Sequence, residues 1–277
     1  MIKIYKPTTP ARRHYTVSDY SVLTKDNPFK KLTTLKRRNL GRSKGRITVR
    51  HKGGGNKKLY RSIFFGEEKK GIPGVVRTIE YDPNRSSFIS LIAYKDGAWG
   101  YILAPQGLKV GEIIICDEKT PLKEGNRMML KNIPVGSFVH NIEVKAGAGG
   151  KLIKSAGSSA QVLAQDGKDT HLKMPSSEVR IIPNIYYASV GQLSNVEHKM
   201  VSLGKAGRSR YMGRRPKVRG SAMNPVDHPY GGGEGRTKRG TRKPKSIYGK
   251  VTGGKKTRKK KRYSDKFIIT RRKKKRR

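Results

Sequence analysis

Hydrophobic positions concentrate in the middle of the chain and come in short runs. "GVVRTIEYD" (74–82) and "FISLIAY" (88–94) are β-branched or apolar stretches of strand length. "KDG" (95–97) is a turn signal ahead of "WGYILAP" (99–105), so 88–94 and 99–103 predict a hairpin. "EIIIC" (112–116) predicts a further buried strand. "GSFVHNIEV" (136–144), "AQVLAQ" (160–165), "DTHLKM" (169–174) and "EVRIIP" (178–183) follow, with Asp166-Gly167 as a second hairpin turn. Short strands at this spacing predict small barrels or sandwiches, an all-β core. Residues 63–200 have room for one all-β domain or two small ones. The Pro and Gly of "KNIPVGS" (131–137) place a break near residue 130 and favour two barrels, 63–130 and 131–200.

The flanks lack both periodicities. "RHKGGGNKKLYR" (50–61) and "GGKKTRKKKRYSDKF" (253–267) are basic and Gly-rich, with little to bury. Residues 1–62 hold 18 Lys+Arg against 2 acids, and 201–277 hold 29 against 3. The middle is nearly balanced, at 17 against 14. Two basic extensions therefore flank a nearly neutral core. Alone, such extensions cannot offset chain entropy by burial and are expected to be disordered. On an RNA surface the phosphates would compensate the charge. Between core and C-terminal extension, "VEHKMVSLGKAGRSRYMGRR" (196–215) predicts a short helix or two, broken by Gly204 and Gly207.

A formal charge of +45 on 277 residues excludes most ordinary enzymes and points to a polyanionic partner. Nucleic acid fits better than an anionic membrane, which would favour one basic amphipathic helix. The single Cys116 excludes a disulfide framework, and the six scattered histidines lack zinc spacing. No metal or cofactor is expected, and no membrane association. The start, "MIKIYKPTTPARRHYTV", has no apolar signal core and no clear transit-peptide amphipathicity, which predicts a cytoplasmic protein.

"NPVDHPYGGGEGR" (224–236) offers the one catalytic temptation, Asp227 beside His228. Adjacent side chains on an extended segment diverge, and a catalytic carboxylate usually reaches its histidine from elsewhere in a fold. Pro225 and Pro229 flank the pair, and no scaffold there would exclude water. A turn is the expected structure. "GKVTGGKKT" (249–257) nearly fits a phosphate-binding loop, with Gly249, Gly254 and Lys255 in place. Lys256 occupies the Ser/Thr position, and no buried strand leads in. The triplets Gly53-Gly54-Gly55 and Gly231-Gly232-Gly233 each lie among cations and suit a close backbone approach to phosphates or sugars. The tail "RRKKKRR" (271–277) is a cation run that fits a localisation patch or an RNA-binding tail equally.

The chain resembles the bacterial form of the ribosomal protein L-two family. The motifs that carry the likeness are "GRITVRHKGGGNKKLYR" (45–61), "EYDPNRS" (80–86), "YILAPQGL" (101–108), "NIPVGSFVHNIE" (132–143), "LGKAGRSRYMGRRPKVRG" (203–220), "AMNPVDHPYGGGEGR" (222–236) and "SDKFII" (264–269). They occur in family order over nearly the whole chain. The resemblance implies an OB-fold-type barrel followed by an SH3-like barrel, with long basic extensions. It implies a structural constituent of the large subunit that binds 23S-class rRNA and reaches toward the peptidyl transferase region. It also implies contact with small-subunit rRNA at an intersubunit bridge, neighbouring large-subunit proteins as partners, and no homo-oligomer. Peptidyl transfer in that family belongs to RNA, so no catalytic residue is expected. Tyr230 departs from the family pattern, which has a second His there.

On this reading Arg50, Lys52, Lys57, Lys58, Arg61, Lys205, Arg208, Arg214, Arg215, Lys217, Arg219 and Arg236 are phosphate-binding candidates. Arg can grip two phosphate oxygens, whereas Lys acts as a point charge. His51 and the two glycine triplets line the same motifs. Met223, Asn224, His228 and Tyr230 are candidates for sugars or base edges. The competing classes are an RNA-acting hydrolase or transferase built on Asp227-His228, and a transient RNA chaperone or translation factor.

Overall fold

Two antiparallel sheets carry the middle of the chain. In the computed structural model residues 2–272 are described, apart from 26, 37–40, 67, 236, 255 and 260. The first sheet has the order Ile113–Ile114, Gly74–Glu80, Ile89–Tyr94, Trp99–Leu103. The expected hairpin forms with Ile89 opposite Leu103 and Ala93 opposite Trp99. Its turn is built from the residues that signalled it. Gly97 takes φ +80°, and the Asp96 carboxylate accepts the Ala98 N–H at 3.1 Å. The nearly continuous apolar run of Ile89–Tyr94, interrupted only by Ser90, has a simple cause: both faces of the strand are covered. Ile92 packs on one side with Val76, Ile79, Phe88 and Leu108, while Ile89 and Leu91 pack on the other with Ile63, Tyr101 and Leu193.

The second sheet runs Arg127–Met129, Tyr187–Val190, Phe138–His140, Ala160–Asp166, Asp169–Lys173, Val179–Pro183, Ile268–Thr270. One core fills it, including Met128, Leu130, Ile133, Val139, Ile142, Val162 and Leu172. The Asp166–Asp169 pair closes the second hairpin, with the turn at Gly167–Lys168, one residue beyond the expected pair. In this sheet three strands were not anticipated: Arg127–Met129, Tyr187–Val190 and Ile268–Thr270. The last comes from the far end of the C-terminal extension and pairs with the edge strand Val179–Pro183. Two expected strands are shorter than read, Ile113–Ile114 and Phe138–His140.

The N-terminal extension is partly fastened to the first barrel. The Phe29 N–H donates to the Tyr101 hydroxyl at 2.8 Å, and that hydroxyl donates to buried Glu80 at 2.7 Å. Thr24 and Ile79 exchange hydrogen bonds. Leu23, Phe29 and Leu32 lie partly buried against the barrel cores. These apolar residues are scattered without period, so the sequence pattern did not announce them.

The chain divides into two units, one of residues 1–37, 57–206 and 266–277, the other of 38–56 and 207–265. The expected helical segment is a 3-10 turn at Val196–Met200 and an α-helix at Ala206–Tyr211. Gly204 interrupts it at φ +70°, but Gly207 lies inside the helix rather than breaking it. No helix among the described residues is long and apolar enough to cross a membrane.

Candidate nucleic-acid interface

The second unit has almost nothing to hold it together by burial. Residues 38–56 and 207–265 contain 26 Lys+Arg and three acids, Asp227, Glu234 and Asp265. Among its described residues no side chain is buried, and the one ion pair joins Arg258 to Asp265 at 2.5 Å. What organises it instead is backbone hydrogen bonding, and glycine makes that possible.

The first glycine triplet laces onto a strip just beyond the helix. Gly53 N–H donates to Gly213 C=O at 3.1 Å, Asn56 N–H to Tyr211 C=O at 2.9 Å, and Arg215 N–H to His51 C=O at 3.1 Å. Lys52 bridges Arg214 in antiparallel fashion. A Cβ on Gly55 would lie 2.8 Å from the Gly213 nitrogen, so only glycine permits this approach. The triplet therefore brings its backbone close to another stretch of backbone. The surface it leaves is cationic: Arg50, His51, Lys52, Arg214, Arg215, Lys217 and Arg219 are all exposed.

The second triplet performs a similar task in a tighter loop. Asp227 and His228 N–H groups both donate to Asn224 C=O, at 3.0 and 3.2 Å. Gly232 N–H returns to Met223 C=O at 3.1 Å. A Cβ on Gly231 would collide with the Asn224 carbonyl. His228 packs flat against Gly220, where a Cβ would meet the ring at 2.5 Å. Its Nδ1 accepts the Tyr230 N–H at 3.1 Å, which leaves the ring proton on Nε2. Among the described residues no hydrogen bond joins the Asp227 carboxylate to that ring. The pair is a turn, not a dyad. The Tyr230 ring sits 4.8 Å from His228, and its hydroxyl accepts the Lys245 N–H. Met223 and His228 are half-buried, whereas Asn224 is exposed. At the apex Val226 is 97% exposed, a residue that charge reasoning passed over.

The remaining candidates divide by exposure. Lys57 and Lys205 are exposed, and Arg208 is half-buried on the helix. Lys58 donates to Pro83 C=O at 3.2 Å. Arg61 differs from all of them. It is 6% exposed, and its guanidinium donates to Leu59 C=O at 3.1 Å. Gly54 and Gly233 are exposed at φ +64° and +88°. The near phosphate loop is not one. Gly249 turns a small hairpin in which Lys245 bridges Val251, and among the described residues no strand–loop–helix surrounds it. Arg236, Lys255 and the tail residues 273–277 lie outside the described residues.

Small β-barrels joined to an acid-poor, core-less unit held by backbone hydrogen bonds define a nucleic-acid-binding scaffold. A family model described as Ribosomal Proteins L2, RNA binding N-terminal domain, matches residues 29–116, and one described as Ribosomal Proteins L2, C-terminal domain, matches 123–249. The chain belongs to the ribosomal protein L2 family. It is accordingly a structural, RNA-binding protein of the large ribosomal subunit. Its core is an OB-type barrel followed by an SH3-like barrel.

Proposed function

We propose that this protein binds 23S-class rRNA directly through both basic extensions. The cations around the laced 51–56 and 211–216 segments neutralise phosphates between packed RNA helices, while the barrels supply rigid faces. The 223–233 loop meets sugars or base edges near the peptidyl transferase region, with Met223, Asn224, His228 and Tyr230 in that role. Peptidyl transfer itself belongs to the RNA, and His228 acts by position. The protein also supports subunit association through small-subunit rRNA, and it works in the cytoplasm. One observation carries this reading. The second unit has 26 cations, only three acids and no buried side chain among its described residues, so its own carboxylates compensate only a small part of its charge. Self-repulsion of that size opposes a compact state unless a polyanion relieves it.

The test is a salt titration of the full chain on protein-free 23S-class rRNA. Log K should fall linearly with log salt, by roughly 0.7–0.9 per phosphate neutralised. An affinity that barely changes with salt overturns the proposal.

A further inference from the structure

Tyr248 plays no part in the motifs discussed so far, yet its setting is built rather than incidental. It stands at the tip of the hairpin 244–252. The Ser246 N–H donates to Lys250 C=O at 2.8 Å, Gly249 N–H to Ser246 C=O at 2.9 Å, and Thr252 N–H to Pro244 C=O at 2.8 Å. Gly249 adopts φ +72°, which closes the turn directly after the tyrosine. The Tyr230 hydroxyl accepts the Lys245 N–H and so ties this hairpin to the 223–233 loop. These bonds define the backbone of the tip from which the tyrosine projects.

That side chain is 74% exposed. The Arg50 guanidinium lies over its ring, 5.8 Å from the centroid. A cation over one face of an aromatic ring leaves the other face open. The surrounding chemistry selects what fills it. No acid occurs between Glu234 and Asp265, while Arg242, Lys243, Lys245 and Lys250 flank the tip. A flat, π-faced ligand that brings negative charge with it suits this setting. A protein surface would have to supply an apolar or aromatic group inside an acidic field. A nucleotide supplies both properties in one unit.

We infer that Tyr248, backed by Arg50, is a stacking platform for an unpaired RNA base, with Arg50 also meeting that nucleotide's phosphate. This rests on the rRNA-binding reading above and deepens it. It assigns a base-contacting position where sequence reasoning assigned only charges. Base–aromatic stacking tolerates any sequence, because every base has a π-face.

The test uses the full-length chain and protein-free 23S-class rRNA, with affinity measured across a salt series. Tyr248→Ala should weaken binding about 5- to 150-fold at any one salt concentration, the effect of losing one stacked base. Its salt slope should match that of the wild type, since no phosphate contact is lost. Tyr248→Phe keeps the ring and should bind as the wild type does, which separates stacking from any folding defect. Ultraviolet crosslinking should join a nucleobase to the peptide containing Tyr248. If Tyr248→Ala binds normally while the wild type keeps a steep salt slope, this inference falls and the proposed function stands. A flat wild-type slope sinks the proposed function itself. If Tyr248→Ala binds bare rRNA normally but enters subunits poorly when the other large-subunit proteins are present, the platform docks a protein, and the inference is overturned.

Discussion

Lys52 and Arg214 stand opposite each other across an antiparallel bridge, two cations where a stable strand pair would place opposite charges. Like charges directly across a pair are destabilising. The lacing of 51–56 to 211–216 therefore brings positive charge together at a local cost. Such an arrangement makes sense when phosphate lies against it. Replacing Arg214 with Gln should slow amide exchange of Gly53 and Arg215 in the free protein, because repulsion is relieved. The same variant should bind rRNA more weakly, with a salt slope shallower by roughly 0.7–0.9. An unchanged slope would show that Arg214 touches no phosphate.

Gly55→Ala tests the lacing without touching charge. Gly55 has φ +89°, and its added Cβ would lie 2.8 Å from the Gly213 nitrogen and 2.9 Å from the Tyr211 oxygen. Both neighbours are backbone and cannot swing aside. The expected outcome is faster exchange at Gly53 and Asn56, with the barrel amides of Val76 and Val162 unaffected. Subunit incorporation should fall although no cation has been removed.

The contrast between these two parts of the molecule explains what the sequence could disclose. The hairpins at Ile89–Leu103 and Asp166–Asp169 were legible because strand and turn are encoded side by side. Tyr187–Val190 was not, although all four residues are buried, because "YASV" is short and mostly small. Ile268–Thr270 was hidden for another reason, since its partner Val179–Pro183 lies far back in the chain. The lacing was invisible in principle, because it uses backbone groups and glycines and leaves no side-chain pattern. Arg61 shows what counting charge leaves out. Counted among the phosphate candidates for its charge, it lies 6% exposed inside the fold. His228 and Tyr230 were correctly singled out as a loop, but their use of each other to shape it required coordinates.

Tyr230→Phe isolates the hydroxyl that ties the 223–233 loop to the 244–252 hairpin. It keeps the ring beside His228 and removes the acceptor of the Lys245 N–H. A half-buried donor left unpaired costs about 1 kcal/mol. The loss should be local. Exchange at Lys245 and Thr252 should quicken while the 223–233 loop stays intact. Tyr230→Ala should loosen both segments, since it also removes the ring. If Phe and Ala behave alike, the hydroxyl is the whole contribution of Tyr230.

His140 gives the SH3-like barrel a pH response. It is 1% exposed, and its Nδ1 lies 2.9 Å from Gly191 C=O. Burial pushes its pKa down to about 4, nearby Arg127 adds to the depression, and the Gly191 contact opposes it. In the unfolded chain the same imidazole titrates near its ordinary value of 6.5. Between pH 6.5 and 4 the unfolded state therefore binds a proton that the folded state refuses. Stability from this residue is complete above pH 6.5 and drains away as pH falls toward 4, by up to ~1.4 kcal/mol per pH unit. Replacing His140 with Gln should remove one proton's worth of that slope. Denaturant melts of both proteins at pH 7, 6, 5 and 4.5 measure it. The wild type should lose stability faster than the variant over this range, and parallel curves would mean that His140 is charged in the folded barrel.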